Sequence, residues 1–410
     1  MKISNVEARQ IFDSRGVPTI EARVTLEDGS AGVGSAPSGA STGSHEAHEK
    51  RDGGEAYSGQ GVVRTIEGVN TAVREGIAGM DADQQARVDE RLRELDGSED
   101  KSRLGANAMI AVSWAVADAA AKAGGLELFQ WLGGLQGAQL PCPMFNVING
   151  GRHADNNLEI QEFMFVPSGA DGFCEAMRMG AECYQALKKL LREAGLSTAV
   201  GDEGGFAPDL GADEEALGWM VRAIEAAGWK PGEDVCLAMD AAAAEWAGEQ
   251  GYCQTKSGRH FQQAELIEYY RALTEKYPLI SIEDPLGEED FEGFGEITRA
   301  LGDDLMIVGD DLFTTNPARL FQGVALGAAN AILIKPNQIG TLSETLETIA
   351  LARRSGYGVI VSHRSGETLS SAISDLAVAV NAEYIKAGAP ARGERLAKYN
   401  RLLEIENILK

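Results

Sequence analysis

The chain has 410 residues, of which 44% are hydrophobic and 24% are charged, values typical of a folded protein with a large buried core. This length exceeds that of one ordinary core, so we expect two domains. The net charge of −25 repels phosphate backbones and argues against a nucleic-acid partner. A small anionic substrate would therefore need clustered lysine, arginine or metal ions in order to bind.

Cysteine usage and the N-terminal sequence indicate a cytoplasmic protein. The five cysteines include no CxxC pair, which argues against a disulfide framework and against a structural zinc site. The N-terminal segment lacks the apolar core of a signal peptide. The longest apolar stretch, residues 109–121, contains Asp118 and is too short to span a bilayer, so we expect no membrane insertion.

The first third of the chain mixes two hydrophobic periodicities. Residues 19–26 alternate as a strand does, whereas residues 82–95 and 105–123 have helical spacing. A passage rich in glycine and proline, residues 133–143, is the best candidate for a domain boundary. We therefore predict an α+β capping domain over residues 1–132 and a second, catalytic domain over residues 140–410.

In the second domain, short apolar runs recur, and each ends abruptly in a titratable residue. These end residues lie 23 to 43 positions apart, with stretches of helical length between them, such as 317–326 and 341–354. This spacing indicates a (β/α) barrel, a fold that carries catalytic groups at the carboxyl ends of its strands. The six end residues are Asp240, Glu283, Asp310, Lys335, His363 and Lys386.

Three carboxylates, Asp240, Glu283 and Asp310, end successive predicted strands. Oxygen ligands without neighbouring cysteine or histidine favour Mg²⁺ over zinc or copper. Lys335 ends the next strand, and a divalent cation beside it would lower the pKa of its amine enough for it to act as a base. A salt-bridged ring of charges at the barrel mouth is the alternative interpretation.

Two further acidic residues could supply a proton donor opposite that lysine. Glu203 lies between glycines in residues 201–205, and Glu162 precedes the apolar run 163–166. Glycines on both sides let the backbone bring a carboxylate close to a ligand. Either acid alone would more often be a solvated loop residue.

A phosphate-binding set follows the strand that ends at residue 362. His363, Arg364 and Ser365 combine a cation, a planar guanidinium and a hydroxyl, and Lys386 adds positive charge. The small-residue loop 37–43 could close over a ligand.

Two weaker patterns are rejected. Residues 32–34 (GVG) lack the third glycine and the βαβ unit of a nucleotide fingerprint. Residues 45–48 (HEAH) lack the HExxH spacing of zinc proteases, so we expect a solvated helical face there.

Taken together, these segments resemble the enolase (phosphopyruvate hydratase) family. The similarity extends from residue 13 to residue 400 and includes, in family order, DSRG, PSGASTG, LGANA, NVINGG, HADN, QEFM, GDEGGFAP, IEDP, VGDD, NQIGTL, SHRSGET, IKAGAPAR and KYN. The resemblance implies a small N-terminal α+β domain followed by an enolase-type (β/α)8 barrel. It also implies a Mg²⁺-dependent lyase that interconverts 2-phosphoglycerate and phosphoenolpyruvate, commonly as a homodimer.

Matching the family's motifs residue by residue implies roles for the candidate residues. Lys335 would remove the C2 proton, and Glu203, assisted by Glu162, would protonate the departing C3 hydroxyl. The first Mg²⁺ would be bound by Asp240, Glu283 and Asp310, and a second by Ser41 together with the substrate phosphate. The substrate itself would be held by His153, Gln161, His363, Arg364, Ser365 and Lys386.

Four departures from the family pattern leave alternatives open. Val17 replaces an asparagine, residues 49–54 read EKRDGG, residues 242–246 read AAAEW, and Leu369-Ser370 replace Glu-Asp. The last change removes two charges after Arg364 and Ser365, which would favour a bulkier or more anionic ligand unless it is neutral drift. The alternatives are therefore a relative such as carboxyphosphonoenolpyruvate synthase or, from the C-terminal Lys410 alone, a surface-binding role.

Overall fold

The computed structural model describes residues 1–40, 42–248 and 250–410. The chain begins with an antiparallel sheet of three strands in sequence order, β1 (Ile3–Phe12), β2 (Pro18–Leu26) and β3 (Ala31–Ser35). In β2, Ile20, Ala22 and Val24 are buried, whereas Arg23 is exposed. The alternation in residues 19–26 therefore predicted this strand correctly, because one face of the sheet packs on a core.

Helices cover the buried face of this sheet, and the central one, α4, has nearly all of its side chains buried. Gly32 and Gly34 of β3 lie so close to α4 that a Cβ on either would collide with its backbone. The GVG pattern is thus a packing feature, and both helices predicted in this region are confirmed as α3 and α4. The elements are the 3₁₀ turn Ala56–Gly59, α1 (Val63–Gly68), the π turn Val69–Val73, α2 (Arg74–Ile77), α3 (Gln85–Asp96), α4 (Ala106–Ala123) and α5 (Leu128–Gly133).

The rest of the chain forms a closed barrel and a small antiparallel sheet. Its strands are β4 (Cys142–Asn149), β5 (Glu162–Val166), β6 (Cys236–Asp240), β7 (Ala247–Gly248), β8 (Gly251–Cys253), β9 (His260–Phe261), β10 (Leu279–Glu283), β11 (Met306–Gly309), β12 (Ala331–Ile334), β13 (Gly358–Ser362) and β14 (Tyr384–Lys386). The barrel closes in the order β10-β11-β12-β13-β14-β4-β5-β6, and β7-β8-β9 make the small sheet. The predicted barrel is confirmed.

Helices follow most of the barrel strands. The predicted helices at 317–326 and 341–354 are confirmed as α10 and α12. The 3₁₀ turns in this part are Gly151–His153 and Ala243–Trp246, and the helices are α6 (Phe173–Glu193), α7 (Asp213–Ala226), α8 (Gln263–Lys276), α9 (Phe291–Leu301), α10 (Pro317–Leu326), α11 (Pro336–Ile339), α12 (Leu342–Arg354), α13 (Ala372–Ala379) and α14 (Gly393–Leu409). Within the described ranges, no helix combines the length and the apolar character needed to cross a membrane.

Strand β5 runs antiparallel to both of its neighbours, whereas the other barrel pairs are parallel. Its first residue, Glu162, pairs with Asn149 at the end of β4 and with Asp240 at the end of β6. Because β5 is reversed, its amino end lies beside the carboxyl ends of the neighbouring strands. Glu162 therefore reaches the mouth of the barrel although it begins its strand.

A buried aspartate of α3 attaches the N-terminal part of the chain to the barrel. Asp89 Oδ2 accepts hydrogen bonds from the Ser343 backbone N–H (2.9 Å) and hydroxyl (2.6 Å), and Oδ1 accepts from Ser113 Oγ (2.7 Å) and Gln85 Nε2 (3.1 Å). Ser343 lies in the first turn of α12, where a carboxylate satisfies helix donors that have no partner within the helix.

Replacing Asp89 by asparagine should weaken this attachment. The Ser343 backbone N–H faces Oδ2, and the Gln85 NH₂ group, which also donates to the Ser113 carbonyl, faces Oδ1, so the asparagine NH₂ must oppose one of these donors. We expect the free energy of unfolding to fall by about 1–3 kcal/mol in denaturant titrations. The exposed Asp83→Asn is the matched control, and equal stability of the two variants would contradict the assigned role.

Candidate active site

The titratable residues predicted at the strand ends gather at one mouth of the barrel. Five of them line a single cavity: Asp240, Asp310, Lys335, His363 and Lys386. The sixth, Glu283, is buried and contacts Lys386 at 2.8 Å. Parallel strands place their carboxyl ends at the same edge, so residues far apart in sequence become neighbours.

Lys386 holds three carboxylates together. Its Nζ lies 2.8 Å from Glu283 Oε2, 3.1 Å from Glu162 Oε2 and 3.2 Å from Asp240 Oδ2. Burial alone would lower the pKa of Lys386, but Glu162, Glu283 and Asp240 together raise it well above its ordinary value. This lysine therefore remains a cation.

Lys335, which follows β12, forms an ion pair with Asp310, which follows the neighbouring strand β11. Burial opposes the charge on Lys335, yet the Asp310 carboxylate raises its pKa. With the protein groups alone, Lys335 is therefore charged, whereas the sequence predicted a neutral lysine. Gln338, on α11, donates to the other Asp310 oxygen at 3.0 Å and thereby fixes this carboxylate.

A pair of buried carboxyls, Glu162 and Glu203, lies across the cavity from Lys335. His153 Nδ1 is 3.4 Å from Glu162 Oε1 and 3.8 Å from Glu203 Oε1. Burial raises the pKa of Glu162, and the neighbouring Glu203 adds to that rise. The pKa of Glu203 lies well below its ordinary value although burial opposes its charged form, because His363 and His153 face it. The pair can therefore share one proton, and Glu162 is the member that retains it more readily.

The glycine-rich loop positions Glu203. Gly204 adopts a φ of +88°, a left-handed conformation that favours glycine, and Tyr184 donates a hydrogen bond to its carbonyl at 2.7 Å. The Glu203 carboxylate then accepts from Asn146 Nδ2 at 2.9 Å and lies 3.2 Å from His363 Nε2.

His363 is not the cation that the sequence suggested. Burial lowers its pKa to about 4. Its Nε2 faces Glu203 at 3.2 Å, and its Nδ1 lies 2.6 Å from an Arg395 nitrogen. The ring therefore lines the cavity as a neutral imidazole.

Arg364 and Ser365 contact the small-residue loop of the N-terminal domain. Arg364 donates two hydrogen bonds to Glu46, at 2.8 and 3.0 Å, and Ser365 Oγ accepts from the Ala40 N–H at 2.9 Å. Residues 43–50 form a turn followed by chain without regular secondary structure, so the helix predicted for HEAH is wrong, and Glu46 is largely buried. The predicted ligand Ser41 lies outside the described residues.

The protein residues fit a hard divalent cation. Glu283 Oε1 and Gln161 Oε1 are buried and accept no hydrogen bond within the described part of the chain, and Gln161 Nε2 donates to Asp240 Oδ2 at 3.2 Å. Buried carboxylate and amide oxygens of this kind are ligands that Mg²⁺ accepts. However, the possible ligand atoms that lie within 4.8 Å of one another belong to two other groups, Asp284 with Asp310 and Asp311, and His153 with Glu162 and Glu203. The predicted ligands Asp240 and Glu283 instead face the Lys386 ammonium.

Several groups that sequence reasoning missed support the site. Asp284 has a φ of +40°, and its carboxylate accepts from the Asp310 N–H (3.0 Å) and the Asp311 N–H (2.8 Å). Asn146 and Gln338, described above, belong to the motifs NVINGG and NQIGTL. Their position inside these family motifs could have indicated a functional role, but no charge pattern marked them as part of the site.

Two of the four sequence departures differ in their distance from the cavity. Leu369 is 76% exposed and lines an open groove with Phe12 and Leu126, so its location does not support an effect on the ligand. In contrast, Ala244 and Glu245 of the 242–246 segment line the cavity itself.

An acid- and lysine-lined cavity at the carboxyl ends of barrel strands, contacted by a loop of an N-terminal sheet domain, defines a capped-barrel enzyme. Comparison with protein-family models matches residues 3–132 to the enolase N-terminal domain and residues 137–410 to the enolase C-terminal TIM barrel domain. The chain belongs to the enolase family, and these domains make it a lyase of the enolase superfamily.

Replacing Lys386 by methionine should strongly destabilise the barrel. Removal of the shared cation leaves Glu162, Asp240 and Glu283 buried without their partner, which costs about 3–5 kcal/mol in unfolding free energy. Lys276→Met, which removes an exposed ion pair with Glu214, is the control and should change stability little. Equal midpoints for the two variants in denaturant would refute the role of Lys386.

Proposed function

We propose that the protein interconverts 2-phosphoglycerate and phosphoenolpyruvate in a Mg²⁺-dependent reaction. The observation that carries the proposal is the placement of base and acid. In the closed barrel, β12, which leads to Lys335, and β5, which begins with Glu162, are four strands apart in a ring of eight. The candidate base and the Glu162–Glu203 pair therefore face each other across the substrate position.

The proton transfers follow from this placement. The Lys335 amine would take the C2 proton, and the electron pair left on C2 would form the double bond to C3 as the C3–O bond breaks. The departing hydroxyl would receive a proton from Glu203 and leave as water, and Glu162, which retains the shared proton more readily, would supply that proton to Glu203. His153 lies within reach of both carboxyls.

Positive charge must stabilise the carboxylate dianion that forms when C2 loses its proton. We propose that Asp240, Glu283 and Asp310 hold one Mg²⁺, and that Ser41 with the substrate phosphate completes a second site. Mg²⁺ bound there would neutralise the charge that raises the Lys335 pKa and would stabilise the dianion. Lys386 and Gln161 would hold the substrate carboxylate, and Arg364 and Ser365 would bind its phosphate, with His363 as a neutral hydrogen-bonding neighbour.

Absorbance of the enolpyruvate double bond after addition of 2-phosphoglycerate and Mg²⁺ tests the proposal directly. Activity should disappear in excess EDTA and return when Mg²⁺ is added. Full activity in EDTA, or no product with Mg²⁺ present, would exclude the proposed reaction.

The two transfer roles should separate by step. Lys335→Ala should abolish exchange of the C2 proton with deuterated water. Glu203→Gln should retain this exchange while it loses at least about 100-fold in dehydration, because only the second transfer needs the acid. Exchange can be followed by NMR of the substrate, and equal loss of exchange in both variants would reverse or remove the assignments.

A second candidate is a relative that acts on a modified phospho- or phosphonate substrate, and the presence of Ala244 in the cavity favours it. This alternative predicts a catalytic efficiency on 2-phosphoglycerate below about 10⁵ M⁻¹s⁻¹. Ala244→Ser, which restores the residue usual in the family, should raise it, whereas the surface change Leu369→Glu should not. A higher wild-type efficiency would eliminate the alternative. The surface-binding role still rests on Lys410 alone, an exposed residue whose ammonium lies 3.5 Å from Glu406.

We also propose that the protein is a cytoplasmic homodimer. The two domains of each chain would span residues 1–132 and 140–410. All five cysteines are free, as expected in a reducing compartment. Phe12, Val33, Leu126 and Leu369 are exposed along one open groove, which offers an apolar face for a second copy. Light scattering in solution would give the mass.

A further inference from the structure

Arg395, on α14, lies directly behind the site without touching the cavity. The side chain is fully buried. Its guanidinium donates to the carbonyls of Asp202 (3.1 Å), Arg364 (2.6 Å) and Ser365 (2.5 Å). It therefore joins the backbone of the glycine-rich loop to the backbone of the proposed phosphate-binding residues.

The same guanidinium contacts an imidazole. Arg395 Nη1 lies 2.6 Å from His363 Nδ1, and the His363 ring is buried, with its Nε2 3.2 Å from Glu203 Oε2. An arginine side chain carries only N–H donors and does not lose its proton in proteins. The His363 Nδ1 must therefore be the acceptor, which leaves the ring proton on Nε2, where it points at Glu203.

We propose that Arg395 is a positioning residue that fixes His363 as the neutral Nε2–H tautomer and thereby directs a hydrogen-bond donor at Glu203. With Nδ1 engaged by a guanidinium, the ring can neither become an imidazolium nor adopt the other tautomer. His363 therefore stabilises the charge that Glu203 carries after it gives up a proton. The link to turnover rests on the proposed function, whereas the tautomer itself does not.

The groups that face His363 agree with this assignment. Besides Glu203 and Arg395, the carboxylate of Glu367 acts on it and would favour an imidazolium. Glu367 is engaged elsewhere, since it accepts a 2.8 Å hydrogen bond from Lys398. Burial opposes a charged ring as well, so solvation and hydrogen bonding favour the same neutral state.

The test is ¹⁵N–¹H correlation NMR on the full-length wild-type protein with labelled histidine. The His363 signal, assigned by its loss in His363→Asn, should show a protonated Nε2 and an unprotonated Nδ1 from pH 5.5 to 8. The exposed His48 serves as the reference ring within the same sample. An Nδ1–H or an imidazolium pattern for His363 would overturn the proposal without any variant of Arg395.

Variants then separate positioning from a purely structural role. Arg395→Met should give His363 mixed tautomers and reduce kcat about 10- to 100-fold with little change in KM. Arg395→Lys, which keeps a donor, should restore the single tautomer. Arg401→Met is the matched control, because Arg401 lies on the same helix and pairs with Asp375 and Glu127. It should lower stability and leave the His363 signal unchanged.

The possible results separate three statements: the tautomer of His363, the role of Arg395 and the proposed function. If Arg395→Met does not fold, the wild-type spectrum still decides the tautomer. A fixed Nε2–H tautomer in a protein that does not convert 2-phosphoglycerate would sustain the positioning role and refute the proposed function. An unchanged tautomer in a folded Arg395→Met protein would show that Arg395 is only structural.

Discussion

Charge balance among buried groups is the constraint on which the barrel mouth depends. A carboxylate removed from water costs several kcal/mol unless a cation or several donors compensate it. Lys386 compensates Glu162, Asp240 and Glu283, and Lys335 compensates Asp310. In a chain with 62 acidic and 37 basic residues, these two lysines thus lie where buried carboxylates meet.

The same balance attaches the N-terminal domain to the barrel. Glu46 neutralises Arg364, and its Oε1 also accepts from the Gly43 N–H at 3.1 Å. Ser38 and Gly366 exchange two backbone hydrogen bonds of 2.8 Å. The loop that contacts the rim is therefore held by the residues proposed to bind the phosphate, so a phosphate at Arg364 would compete with Glu46 for the guanidinium.

Side-chain N–H donors influence the protonation of His363 and of the two glutamates in the cavity. Arg395 presents an N–H group to His363 and Asn146 presents one to Glu203, so the imidazole stays neutral and the charged form of the Glu203 carboxyl is stabilised. Burial and the neighbouring Glu203 carboxylate raise the pKa of Glu162, so the proton remains with it more readily. The two glutamates have the same chemistry, and their different surroundings separate their pKa values.

The sequence by itself determined the barrel, the two helices α3 and α4, and the titratable residues at six strand ends, because period-2 and period-3.6 patterns are local properties of the chain. It also determined the family, because motifs in a fixed order can be recognised in the sequence without knowledge of the contacts. Only the tertiary structure decided that β5 is reversed and that Glu162 reaches the mouth, because strand direction depends on pairing between distant segments. The tertiary structure likewise decided that His363 is neutral, that Glu46 is buried and that Lys335 is charged. Each depends on a partner that folding brings near from 25 to more than 300 positions away, and no local pattern encodes that partner.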